Sequence, residues 1–254
     1  MLMAAYTLRQ ACTDGPFAWT AAYEVRPGEG RCTVTVALHL CPAPGVEARD
    51  LARVRQTLEA ETARYFDGVF VLETPSGHPL TLHVGLRWTA AATAGLPVVE
   101  LRPGDGQHTA ICWYAAAHPL NYVHELAHLL GLCDEYYDPA VPGRDSPAAP
   151  GVWRDHSLMG NYVVEGMRLA ALRLRHGQCL ADAIGALLGE RLVARFCSHY
   201  TVRPGDSLSW IAGRYTGDPG QWTALYALNR DGCEDPHHPL PGTVLALPAH
   251  FLQS

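Results

Sequence analysis

Residues 31–40, RCTVTVALHL, alternate apolar and polar positions with a period of two, as a half-buried strand does, and residues 17–26 before them are also strand-like. The RPGEG between them supplies turn chemistry, with Pro presetting φ and Gly accepting positive φ, so the pair reads as a hairpin. Residues 46–66 switch to a helical period, with Leu51, Val54, Leu58 and Tyr65 apolar among charged neighbours. Strand candidates follow at 68–73, 80–88, 97–102 and 109–115, then a helix over about 118–131. The stretch 136–156 holds four prolines and two glycines and predicts a long loop, a kind that in compact domains is usually functional or mobile. Helical periodicity resumes over roughly 163–195. VRPGEG, LRPGDG and VRPGDS are three turns rather than three repeats.

From about residue 199 a second pattern starts: a strand (YTV), a turn (RPGD), two short helices (LSWIAGRY and QWTALYALN), a loop and a strand (TVLALP). The reading is an α+β chain of two units, residues 1–195 with a helix packed on a mixed sheet and residues 199–254 as a small βααβ unit.

The chain has 254 residues, 48% of them hydrophobic and 17% charged, which suffices for an enzymatic domain plus a small module. A net charge of −6 with dispersed basic residues argues against nucleic acid as a partner. No apolar run approaches the ~18 residues that a transmembrane helix needs. The first residues lack the charged and apolar regions of a secretory signal, which fits a mature chain, a protein that stays inside, or delivery outside the producing cell by a route without a visible signal peptide, the last being the expectation. Eight scattered cysteines form no C-x-x-C pair; they fit disulfides or buried thiols, and no cysteine-ligated zinc site.

The chemistry concentrates in NYVHELAHLLGLCDEYYD, residues 121–138. His124 and His128, four apart on one helix face, can present both imidazoles to a single ion. Glu125 lies about 100° round the helix, within reach of a water on that ion but not of the ion itself. Zinc lowers the pKa of such a water toward ~7, and a carboxylate can take the proton and pass it to a leaving amine. Gly131, free to adopt positive φ, can reverse the chain after the helix and return Asp134 as third ligand. Glu135, or a distant glutamate such as Glu165, are alternative third ligands; His156 and His176 are further candidates. Cys133, beside Asp134, reads as a small packing residue or an inhibitory thiolate.

HELAHLLGLCD resembles the metzincin motif H-E-x-x-H-x-x-G-x-x-H in its aspartate variant, as in snapalysin-like proteases. HSLMGNY, residues 156–162, is similar to the Met-turn of that family, with Met159 as its methionine and Tyr162, three residues beyond it where the family commonly has a tyrosine two beyond, as a possible oxyanion stabiliser. The resemblance covers about residues 30–165. It implies a metzincin-like twisted mixed sheet with an active-site helix, Zn2+ on His124, His128 and Asp134, Glu125 as catalytic base, and hydrolysis of peptide bonds in a protein or peptide substrate. It also implies that substrate adds to an edge strand at 109–114.

The C-terminal pattern Y-T-V-x-x-G-D-x-L-x-x-I-A, L-x-x-L-N and P-G-x-x-L-x-L-P closely resembles a LysM domain. That implies binding of N-acetylglucosamine-containing glycan, as in peptidoglycan, between Gly205, Asp206, Ser207 and Leu208 on one side and Asn229, Arg230 and Pro241 on the other. Units of this subtype also occur in phage-tail-like particles, where they serve in assembly. Three functions follow as expectations: a zinc metalloendopeptidase with a LysM module, a peptidase of peptidoglycan stem peptides, or a non-catalytic wall- or particle-binding protein with a vestigial site.

Overall fold

The computed structural model describes residues 4–253. Its first three strands, β1 (Tyr6–Asp14), β2 (Phe17–Gly28) and β3 (Arg31–Pro42), form an antiparallel meander. Helix α1 (Ala48–Phe66) carries the expected apolar stripe, burying Val54, Leu58, Tyr65 and Phe66. It crosses to β4 (Phe70–Glu73) and β5 (Pro79–Trp88), and β5 lies parallel to β3. Next come β6 (Val98–Arg102), parallel to the end of β3, and β7 (Cys112–Tyr114), parallel to β6. Together with β8 (Val193–Phe196), which pairs β4, these make one curled mixed sheet of eight strands.

One property of β3 positions the functional region. Leu38 O accepts from Thr89 N, which follows β5, while His39 N donates to Pro97 O, which precedes β6. Neighbouring residues of a strand point their backbone groups to opposite edges, so β6 lies on the edge of β3 away from β5. That is the edge β2 occupies earlier, its pairing with β3 ending at Glu24↔Thr35. The sheet therefore forks: β2 departs, β6 takes its place, and a cleft opens between them. Helix α2 (Pro119–Leu129) forms the floor.

After the loop come α3 (Tyr162–Glu165) and α4 (Leu174–Leu188). The final part has β9 (His199–Thr201), α5 (Leu208–Thr216), α6 (Trp222–Asn229) and β10 (Val244–Ala246), a βααβ arrangement whose two strands pair antiparallel. It packs directly on the first part. Arg214 of α5 is 3% exposed and donates to Arg64 O at 2.6 Å and Tyr65 O at 2.9 Å, the last carbonyls of α1. Arg203 donates to Asp67 O, and Arg173 donates to the carbonyl of Arg214.

Several expectations are corrected. Residues 6–14, read as no element, form β1. The helical region 163–195 is two helices and the strand β8: Gly189 at φ 71° ends α4, and residues 193–196 complete the ladder on β4. The strand at 109–115 shrinks to three residues. All eight cysteines are free.

Candidate metal centre

Helix α2 starts with His118 at the N-cap and Pro119 at the first position, where a missing N–H costs nothing. Nine of its eleven residues are buried, so each polar side chain it carries needs a partner. His124 Nδ1 lies 2.9 Å from Leu158 O, and His128 Nδ1 lies 2.8 Å from Leu132 O. A carbonyl only accepts, so both Nδ1 atoms carry the proton and both Nε2 atoms are bare lone pairs.

Gly131, at φ 95°, turns the chain as its position after the helix predicted. Asp134 returns so that its Oδ1 stands 3.1 Å from His124 Nε2 and 3.5 Å from His128 Nε2. One donor atom from each of the three residues lies within 4.8 Å of the others. Two lone-pair nitrogens facing a carboxylate oxygen have no proton to share, and Asp134 Oδ1 is buried with no hydrogen-bond partner. A cation resolves both facts, and two imidazoles with a carboxylate suit zinc. Burial opposes ionisation of Asp134; with no cation bound, only protonated forms of the two rings outweigh it and hold this carboxyl well below the usual range.

Glu125 is 5% exposed, and its Oε2 has no partner. Burial raises its pKa to about 7, with His124 opposing and Asp134 adding to the shift. The group can therefore exchange a proton near neutral pH.

Neighbouring segments hold the triad. Trp19 of β2 donates from Nε1 to His128 O at 2.7 Å, and its ring meets the His128 imidazole edge-on. Met159 is fully buried; its N–H donates to Ser157 Oγ and its carbonyl accepts from Glu135 N. Glu135 is not in the triad. Arg175 donates to both its oxygens, Ser157 Oγ donates to it, and His176 Nε2 sits 3.1 Å away. His176 Nδ1 accepts from Arg173 N, so its Nε2 carries the proton that Glu135 receives. Glu165 is likewise committed elsewhere, accepting from His156 N. Cys133 is exposed and outside the triad.

The triad and Glu125 open into a cleft of about 720 Å³. Phe17, Ala18, Trp19 and Thr20 line one wall, Leu96, Pro97 and residues 107–111 the other. Tyr136, two residues past Asp134, also lines it. Tyr162 does not: its OH donates to Asn121 Oδ1 and its ring lies against His124. The sequence pattern assigned no role to Tyr136 or to Trp19.

In the C-terminal part the residues expected around a glycan separate into two groups. Asp206 is buried, accepting from Tyr200 OH at 2.7 Å and Arg203 N at 2.8 Å and pairing with Arg64 at 3.2 Å. Leu208 is fully buried. Ser207 Oγ caps α5 by accepting from Trp210 N, and the Asn229 amide ties Leu225 O and both backbone groups of Ala246. Gly205, Arg230 and Pro241 are exposed.

Residues 200–248 match the family model of the LysM domain. No curated protein and no solved structure matches the chain.

Proposed function

We propose that the chain is a zinc-dependent metallopeptidase whose LysM domain attaches it to glycan or to a particle. The observation that carries this reading is the buried group of two bare Nε2 atoms and one orphaned carboxylate oxygen, with Glu125 beside it at the floor of a cleft. His124, His128 and Asp134 would hold the ion, which when bound supplies Lewis-acid polarisation of a water and of a peptide carbonyl. Glu125 accepts a proton from the attacking water on its free Oε2 and releases it to the leaving amine nitrogen. Tyr136, on the cleft wall, is placed to donate its phenolic proton toward the carbonyl oxygen as charge develops, an alternative to Tyr162, whose OH is bonded to Asn121. The Gly131 turn and the buried Met159 support a metzincin-like arrangement over residues 1–195, with 199–254 as a separate domain in sequence.

The LysM match supports N-acetylglucosamine-containing glycan as the attachment partner, contacted through exposed Gly205, Arg230 and Pro241 with Ser207 at their margin. Attachment to a phage-tail-like particle is the other use of such a module, and action outside the producing cell is part of this proposal. The same match favours a second substrate, the stem peptides of peptidoglycan.

The test is to incubate zinc-loaded protein with denatured casein and, in parallel, with purified sacculi, alongside Glu125→Ala and a chelator. Casein cleavage lost in both controls supports a proteinase, and clearing of sacculi alone moves the substrate to wall peptides. Zinc bound without hydrolysis of either would leave a binding protein with a vestigial site.

A further inference from the structure

The resemblance drawn from sequence put an extended substrate on the edge strand at 109–114, but that edge is closed. Cys112 and Tyr114 direct their backbone groups away from β6, because Glu100 N bonds the O of Ile111, the residue before Cys112, and orientation alternates along the strand. Cys112 N donates to Thr109 O and Cys112 O accepts from Thr109 N. Tyr114 O accepts from Ala117 N and from Tyr122 OH. Three of the four outward groups are thus taken by the chain itself.

The opposite wall is open. The ladder of β2 with β1 runs from Tyr6↔Val25 to Asp14↔Phe17 without a bulge, and that with β3 runs without one from Glu24↔Thr35 to Gly28↔Arg31. Thr35 and Thr33 share the parity of His39, so Glu24 and Arg26 face β3. By the same alternation Ala18 and Thr20 face that edge beyond the fork, where β3 no longer accompanies β2. Both are exposed, both line the cleft, and among the described residues no hydrogen bond reaches their outward N–H and C=O groups. Trp19, between them, bonds the backbone of His128, so this edge adjoins the metal group.

We infer that an extended stretch of substrate polypeptide adds to β2 at Ala18 and Thr20, so that the N-terminal hairpin supplies the main-chain recognition. The inference rests on the peptidase reading. Main-chain pairing gives affinity without sequence preference. Selectivity comes from the walls: Phe17 is 52% exposed and Ile111 59%, and with Leu96 and Pro97 they favour apolar side chains over charged ones.

Amide hydrogen exchange of the zinc-loaded Glu125→Gln variant, with and without saturating carboxymethylated casein, tests this. Protection gained at Ala18 and Thr20, with none gained over 112–114, is expected. A second measurement uses Thr20→Pro, which removes one outward N–H at a position where an edge strand tolerates proline. It should lower kcat/KM on casein about tenfold through KM, the scale of one lost hydrogen bond, with zinc content retained. Protection over 112–114 instead, or at neither place while the parent cleaves casein, overturns the inference. A parent that neither binds nor cleaves casein removes the proteolytic reading first, and this inference with it.

Discussion

Replacing Arg214 with alanine removes the cation that joins the LysM domain to the end of α1. The guanidinium is buried, gives one hydrogen bond to each of two carbonyls at the end of α1, and lies 4.9 Å from the Tyr65 ring and 5.2 Å from that of Trp210. Hydrogen bonds from a charged donor contribute about 1.5–3 kcal/mol each. A cation at a helix C-terminus adds up to about 2 kcal/mol when partly buried. These contributions overlap, and the truncation also leaves two carbonyls covered and unpaired, so about 3–5 kcal/mol is expected. For a chain of this size 1 kcal/mol corresponds to roughly 2–4 °C, which places the fall in melting temperature at roughly 6–20 °C. Arg214→Lys retains the charge but not the fork that reaches both carbonyls, and should fall about half as far. Scanning calorimetry at neutral pH reads both. A loss below about 2 °C for Arg214→Ala would refute the docking argument and make the LysM domain a tethered appendage.

Glu135→Gln keeps the shape but not the charge that Arg175 and His176 grip beside Asp134; zinc affinity by competitive chelation should fall about ten- to a hundredfold, and an unchanged value would deny it a positioning role. Asp206→Asn should cost about 3 kcal/mol by leaving Arg64 without its buried partner, while the folded protein binds peptidoglycan as before; a selective loss of glycan binding would contradict the structural role. Burial holds His108 at about 4, whereas the unfolded chain takes up this proton near ~6.5. Stability should therefore decline as pH falls from about 6.5 to 4, and His108→Gln should flatten that part of a denaturation-against-pH profile; an identical profile would refute the assignment.

The His124, His128 and Asp134 group was legible because every part of it is local. His124 and His128 are one helical turn apart, and Gly131 is the turn residue that brings back Asp134. The strands and helix from 17 to 102 were legible because their periodicities are strong. What sequence missed depends on distant contact. YTLRQACTD at 6–14 pairs only with β2, and just Leu8 and Cys12 are buried in it, so no apolar face announces a strand. VARF at 193–196 reads as helix until β4 offers it a ladder. The fork of β3, and with it the cleft and the open edge of β2, arises from a change of neighbour along one strand that no local pattern encodes. Likewise Asp206 and Leu208 fit a glycan-binding pattern by position, yet the packing of α5 and the reach of Arg64 bury both.

Metal stoichiometry tests the central claim most directly. Zinc content of the purified protein, after zinc loading and gel filtration, should be one ion per chain for the parent and for Glu125→Gln, whose carboxylate holds no metal. It should be near zero for Asp134→Ala, which removes the oxygen facing both bare imidazole nitrogens. A parent that retains no zinc, or an Asp134→Ala protein that binds it as tightly as the parent, would contradict the account.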